Sequence, residues 1–550
     1  MTSLISTSAS IQRFHSKGIL ISKQICLHSS LRNSVFQRSF HHPTKSILPL
    51  MNKQSNYSSL SRISMIERHI SHSGSKSAGM SLSNQPLVLA KTDANFRSLT
   101  LNRPKALNAL NHEMIDLISN EIVKWERSDE AKIVILKGIG RAFCAGGDVV
   151  SVVSLAESNV QEKQKLAASF FQSEYQLDSF IAKMSTPVVC FLDGITMGGG
   201  LGLSIHTPFR IATENTRVAM PETTIGLFPD VGATFFLPRL DGELGTYLGL
   251  TSTNLYGWAA YQAGFASHYV PSASLPALEE RLSALSPTAT HDRINDAINE
   301  FSADVIDGNS SNPTYELTGF HRQAIDHCFG RDTVEEIVGE LEAIERGHLF
   351  FEHPSLREWA QKTRETILNR SPTSCKLTLM ALREGRKLSI DECFLMEMRL
   401  AATCCDFNVH QDFVIGTRHL LVEKKKTRAN WNPESLEEVD PHILQRLFFS
   451  SKPEPTTHVL PLKFIETQVR SYKSYPHANF SLPSEEIIKQ HVIGSVKGSG
   501  DFAVTKRELI DIIQRKYQDK VGVKEKVKEV LSRRAIEKGE KEGNVLKWRY

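Results

Sequence analysis

Between Thr186 and His206 the chain reads TPVVCFLDGITMGGGLGLSIH, an apolar run, three consecutive glycines, then a second apolar run. Each glycine inside a regular element costs ~0.5–1 kcal/mol relative to alanine, so Gly198, Gly199 and Gly200 belong where bare backbone is needed. The same order occurs once before, as KIVILKG followed by RAFCAGGD over residues 132–148. Two strand, glycine-turn, helix units predict an α/β fold with parallel strands buried on both faces. A helix starting directly after glycines leaves its first N–H groups unpaired, with the positive end of its dipole behind them. That place suits an anion, either a phosphate or the transient oxyanion of a carbonyl. Neither GxxxxGK[ST] nor GxGxxG with its distant acidic residue is present, which disfavours nucleotide phosphate. Two forward-pointing N–H groups from adjacent units can instead converge on one oxygen.

The flanks supply the rest of a core. PLVLAKT and FRSLTLNRP read as a strand hairpin, and Asn111 as the N-cap of a helix with Met114, Leu117, Ile118, Ile122 and Trp125 on one face. A further helix is expected around residues 160–183. Residues 272–345 read as mostly helical, interrupted by DGNSSNPT, and dense apolar positions from about His348 to Val422 continue the helical cover. KKKTRANWNPESLEEVDP reads as a polar exit. The expected organisation is a leader at 1–80, a core at 81–345, a helical region at 346–450 completing it, and a basic helical extension at 451–550.

Charge supports that division. Residues 1–80 hold ten Lys/Arg and one Asp/Glu, residues 451–550 hold 20 and 13, and the remainder holds 35 and 47. The Ser-rich leader, with Glu67 as its first acid, has the composition of a mitochondrial or plastid transit peptide. No 18-residue apolar run exists, so no membrane span is expected. Eight cysteines are scattered without a CxxC pair, against a zinc site and a disulfide framework, and no metal is expected. In the extension, Thr505 with Glu508 fits a capping box. Leu509, Ile512, Ile513, Val523, Val527, Val530 and Leu531 form narrow apolar stripes, to be covered by a partner or by the chain itself.

Glu222 in AMPETTIG and Asp230 in LFPDVG each follow a proline in apolar and small-residue surroundings. Both acids are expected on turns or extended chain facing a pocket. Apolar surroundings raise a carboxyl pKa and suit it to move protons near neutrality. Glu174 in FFQSEYQL and Lys105 in NRPKALNAL read, from residues alone, as surface positions. Ser204 in GLSIH resembles a hydrolase elbow only loosely and is expected as a buried helix residue.

Together LNRPKALNAL, RAFCAGGD, GITMGGGLGLS and VAMPETTIGLFPDVGATFFLPRL resemble the crotonase (enoyl-CoA hydratase/isomerase) superfamily, and within it the 3-hydroxyacyl-CoA thioester hydrolases. The resemblance covers residues 86–445. It implies a spiral of repeated ββα units, an acyl-CoA substrate that itself carries the coenzyme A, and no separate cofactor. Carried over residue by residue, it makes the N–H groups of Gly147 and Gly199 the oxyanion hole, Glu222 and Asp230 the catalytic pair, and Glu174 a substrate contact. Lys105 would meet a CoA phosphate. Hydratases of the superfamily place a glutamate three residues after the second oxyanion glycine; here that position is Gly202, which favours hydrolysis over hydration. The implied substrate is 3-hydroxyisobutyryl-CoA of valine breakdown, in the mitochondrial matrix. Long members with basic extensions resemble a component of the mitochondrial ribosome's small subunit, a second role that can coexist with the first.

Overall fold

The structure is a computed structural model describing residues 86–158, 160–303, 317–347, 353–498, 503–538 and 544–549. The leader at 1–80 and the DGNSSNPT interruption lie outside the described residues. Residues from Ser81 to Tyr550 form one compact unit.

In chain order the site-bearing elements are β1 (Val88–Asp93), β2 (Phe96–Leu101), α1 (His112–Glu126), β3 (Ile133–Gly138), β4 (Ala142–Cys144), α2 (Val149–Ala156), α3 (Gln161–Ala182), β5 (Val188–Leu192), β6 (Ile195–Met197), α4 (Gly199–Ile205), β7 (Phe209–Ala212), β8 (Arg217–Ala219), β9 (Leu255–Tyr256) and β10 (His268–Tyr269). One sheet has the order β1-β2-β3-β5-β7-β10, in which only the β1–β2 hairpin is antiparallel. The second has the order β4-β6-β8-β9 and is parallel except at β8–β9. Each expected strand thus becomes a pair, one strand per sheet, before its helix. This is the α/β spiral of ββα turns, with helices covering its faces.

β3 is buried on both sides. Ile133 and Ile135 pack with Phe209, Ile211 and Leu278, while Val134 and Leu136 face the main core. The Asn111 side chain caps α1, accepting from the Met114 N–H at 2.9 Å. Leu117, expected inside, is 38% exposed, and Ile115 is buried instead. At ~100° per residue, Ile115 lies closer than Leu117 to the stripe set by Met114, Ile118, Ile122 and Trp125.

Two boundaries differ from the sequence reading. The polar segment near residue 430 does not leave the domain. Trp431, Leu436 and Val439 are buried, and the Trp431 indole N–H donates to the Asn369 carbonyl at 3.1 Å. It leads into the helix Pro441–Phe448, whose Leu444 and Phe448 join the core. Past residue 451 the chain stays on the main body, with Leu462, Phe464, Tyr472 and Tyr475 packed against the same core.

A separate cluster begins only near Leu482. It gathers Leu509, Ile513, Val523, Val527, Val530 and Leu531 with Trp548. The stripes therefore cover one another, save for Ile512, which is 38% exposed. The Thr505–Glu508 capping box is formed, and a hairpin of Ala535–Lys538 with Val545–Trp548, not expected from sequence, closes the unit. Lys526 pairs with Asp241 at 2.7 Å and Arg534 with Asp326 at 2.7 Å, fixing this unit to the body. Part of the extension's positive charge is thus neutralised internally. Among the described residues no helix is long and apolar enough to cross a membrane.

Candidate active site

The two glycine turns meet because their strands are neighbours. β4 and β6 run parallel, so the turns following Cys144 and Met197 emerge side by side. A Cβ on Gly146 would lie 3.5 Å from the Met197 carbonyl oxygen and 3.9 Å from the Gly199 nitrogen. Gly146 has φ 115° and Gly198 φ 45°, conformations that glycine adopts freely. The LNRPKALNAL loop clamps the first turn: the Leu110 N–H donates to the Gly146 carbonyl at 2.8 Å, and the Asp148 N–H to the Leu110 carbonyl at 2.7 Å. Among the described residues, neither the Gly147 nor the Gly199 N–H donates to a protein acceptor. α4 has only seven residues, so any oxyanion rests on these N–H groups more than on a long helix dipole.

Carboxylates surround the turns. A Cβ on Gly199 would overlap Glu174 Oε1; one on Gly147 would lie 3.9 Å from Glu174 Oε2, and one on Gly198 3.1 Å from Glu222 Oε1. β8 pairs with β6, with Ala219 opposite Met197, and so delivers Glu222 three residues later beside Gly198. Asp230 follows on the next turn and accepts from the Tyr175 hydroxyl at 2.7 Å. Glu174, Glu222 and Asp230 are all buried, and among the described residues Glu174 Oε1 and Glu222 Oε2 have no hydrogen-bond partner. Burial, reinforced by the charge of Asp230, holds Glu174 and Glu222 well above the usual carboxylate range. Burial also pushes Asp230 up to about 7, against the Tyr175 hydrogen bond, which lowers it. Such a group exchanges protons near neutral pH.

Sequence reasoning missed three buried residues here. Tyr175 follows Glu174 on α3, and Asp178 lies one turn further on, fully buried with both carboxylate oxygens unpartnered among the described residues. A side chain at Gly202 would overlap Asp178 Oδ2 and come within 2.8 Å of Val231 Cβ, so the position of the hydratase glutamate is closed. The third is Glu397, from the helix Ile390–Cys404, which accepts from the Gly232 N–H at 2.7 Å and the Thr234 N–H at 2.9 Å. The detectable signal was an acid inside an apolar helical run, as in FFQSEYQLDSF and CFLMEMRLAA.

The remaining candidates fall outside the cluster. Lys105 is exposed on the turn Pro104–Ala106, which the Arg103–Asp148 ion pair at 2.9 Å ties to the Gly147 turn. The Ser204 hydroxyl donates to the Gly200 carbonyl at 2.8 Å and is buried, as expected for a helix residue. Burial pushes the Cys144 thiol up to about 12, which removes it as a nucleophile.

The family model described as enoyl-CoA hydratase/isomerase matches residues 96–448. The chain is 43% identical to small ribosomal subunit protein mS47 of Neurospora crassa, over 82% of this chain and 85% of that one. It is 40% identical to 3-hydroxyisobutyryl-CoA hydrolase 1 of Arabidopsis thaliana, over 67% of this chain and 92% of that one. The mitochondrial 3-hydroxyisobutyryl-CoA hydrolase of Homo sapiens is 42% identical, over 64% and 86%. Among solved structures, a carnitinyl-CoA dehydratase from Mycobacterium thermoresistibile aligns with a TM-score of 0.57 at 32% identity, covering 67% of this chain and 98% of that one.

Proposed function

Because the chain belongs to the enoyl-CoA hydratase/isomerase family, we propose that it is a thioester hydrolase, releasing CoA and 3-hydroxyisobutyrate from 3-hydroxyisobutyryl-CoA. The observation that carries this reading is the pairing of two free glycine N–H groups with the buried carboxyls of Glu174, Glu222 and Asp230, while position 202 has no room for a hydratase glutamate. The thioester oxygen accepts from the Gly147 and Gly199 N–H groups, which stabilise the charge it gains as the carbonyl becomes tetrahedral. Glu222 acts at the carbonyl carbon, as nucleophile or as base for water. Asp230 orients the substrate hydroxyl or carries the proton that the departing sulfur takes up, and Glu174 holds the acyl group against Gly199. Coenzyme A enters as part of the substrate, and no separate cofactor is required. The relatives' mitochondrial names and the basic composition of residues 1–80 support action in the mitochondrion; the reading assigns the chain to the matrix, acting on an intermediate of valine breakdown.

Single-turnover hydrolysis in ¹⁸O-labelled water tests the role of Glu222. Label in its carboxyl group marks attack on carbon followed by hydrolysis of a mixed anhydride. Label confined to the product acid fits either activated water or an anhydride opened at the acyl carbon, and trapping of an anhydride with hydroxylamine separates the two. Unimpaired hydrolysis by Glu222→Gln would exclude both.

A second reading, association with the small subunit of the mitochondrial ribosome, is favoured by one observation. The likeness to the ribosomal protein spans 82% of the chain, against 67% and 64% for the two hydrolases. The exposed lysines and arginines of the extension would contact rRNA phosphates, and both roles can reside in one chain. Cosedimentation with mitochondrial ribosomes should then weaken as salt rises, through counterion release. Absence of the chain from the ribosome peak at low salt would contradict this reading.

A further inference from the structure

Asp230 is followed by two residues with left-handed backbone, Val231 at φ 55° and Gly232 at φ 83°. For a β-branched residue that conformation is an outlier that persists only where its surroundings impose it. Two groups impose it here. Glu397 accepts from the Gly232 N–H through Oε2 and from the Thr234 N–H and hydroxyl, the latter at 2.6 Å, through Oε1, so both oxygens of its buried carboxyl group are engaged. From the other side, His206 Nε2 lies 3.1 Å from the Val231 carbonyl oxygen.

The carbonyl can only accept, so Nε2 carries the ring proton and Nδ1 is left as an acceptor. Nδ1 has one partner, the Tyr475 hydroxyl at 2.8 Å, which therefore donates. Burial keeps this imidazole neutral, lowering its pKa to about 4, so the tautomer is fixed by the two bonds. Gly232 makes the approach possible, since a Cβ there would overlap His206 Nε2. Tyr475 is itself seated edge-on against Phe235, with ring centroids 5.1 Å apart. It also lies beyond residue 448, where the family match ends.

We propose that Tyr475 and His206 are positioning residues for the Asp230 turn, so that the segment following the enzyme domain forms part of the active site's support. The inference rests on the hydrolase reading, in which Asp230 touches substrate. Tyr475 orients His206, His206 holds the Val231 carbonyl, and the strained turn keeps the Asp230 carboxyl against Tyr175 and beside Glu222. It also gives a role to His206, the residue that ends the glycine helix and that the reaction itself does not use.

The test uses the full chain with Tyr475→Phe, which keeps the ring on Phe235 and removes only the donor. The expected result is kcat lower by about tenfold, the loss of one buried hydrogen bond, with KM within about twofold. Amide hydrogen exchange over residues 231–236 should accelerate in the same variant. His206→Gln retains a donor and an acceptor and should recover most of kcat; His206→Leu should not, and its loss should not add to that of Tyr475→Phe. Unchanged exchange over 231–236, or faster exchange with unchanged kcat, would overturn the inference. Failure of the hydrolase reading is told apart from this: it shows as absent thiol release by the intact chain, whereas exchange is read without substrate.

Discussion

Tyr175 sets the acidity of Asp230, the group proposed to move protons. Its hydroxyl donates to Asp230 and favours the ionised carboxylate, against the burial that pushes Asp230 up to about 7. Tyr175→Phe removes that preference, so the Asp230 pKa rises further. Whichever limb of the kcat–pH profile Asp230 controls should move to higher pH, by about one unit for a charge-assisted bond. A profile that stays in place would show that this limb belongs to another group. Glu222 and Asp230 were legible in the sequence because each sits in a short motif whose neighbours place it. Tyr175, Asp178 and Glu397 were not, because each reaches the site from a helix distant in sequence, and helical periodicity says which face is apolar but not what it meets.

The glycine elements are legible for the same local reason, and their tolerances are set by contacts that are not local. Gly202 lies in α4 against Asp178 of α3 and Val231 of the Asp230 turn. Asp178 ends in a short carboxyl that can swing aside, but Val231 Cβ is fixed by a held backbone. Gly202→Ala should therefore destabilise the fold by ~1–3 kcal/mol, the cost of overpacking, read as a lower denaturant midpoint at constant m. An unchanged midpoint would mean that space exists at 202 and that its closure does not exclude hydration chemistry. The strand pairs show the same limit. The run TPVVCFLDGITM reads as one strand and a turn, yet Gly194, at φ 109°, divides it between two sheets. Sheet membership depends on partners such as β8, which no local pattern specifies.

For the whole molecule, the extension divides into a segment packed on the main core and a unit with its own core. Charge placed the boundary near residue 451, but packing changes over near residue 481, because Tyr472 and Tyr475 lie on the body while Leu509, Val527 and Trp548 pack with one another. A chain ending at residue 481 should keep its hydrolase activity within a few-fold. One ending at residue 450 should lose at least about tenfold, since it lacks Tyr475. Equal activities would show that the segment between them contributes nothing to catalysis. The central claim, thioester hydrolysis by Glu222 beside the two glycine N–H groups, is tested most directly by following thiol release from 3-hydroxyisobutyryl-CoA by the intact chain and by Glu222→Gln in parallel, with CoA-ester binding measured on both. The account predicts steady release by the intact chain, none above background by the variant, and affinities within a few-fold of each other. Release that persists in Glu222→Gln, or an intact chain that hydrates an enoyl-CoA and frees no thiol, would contradict it.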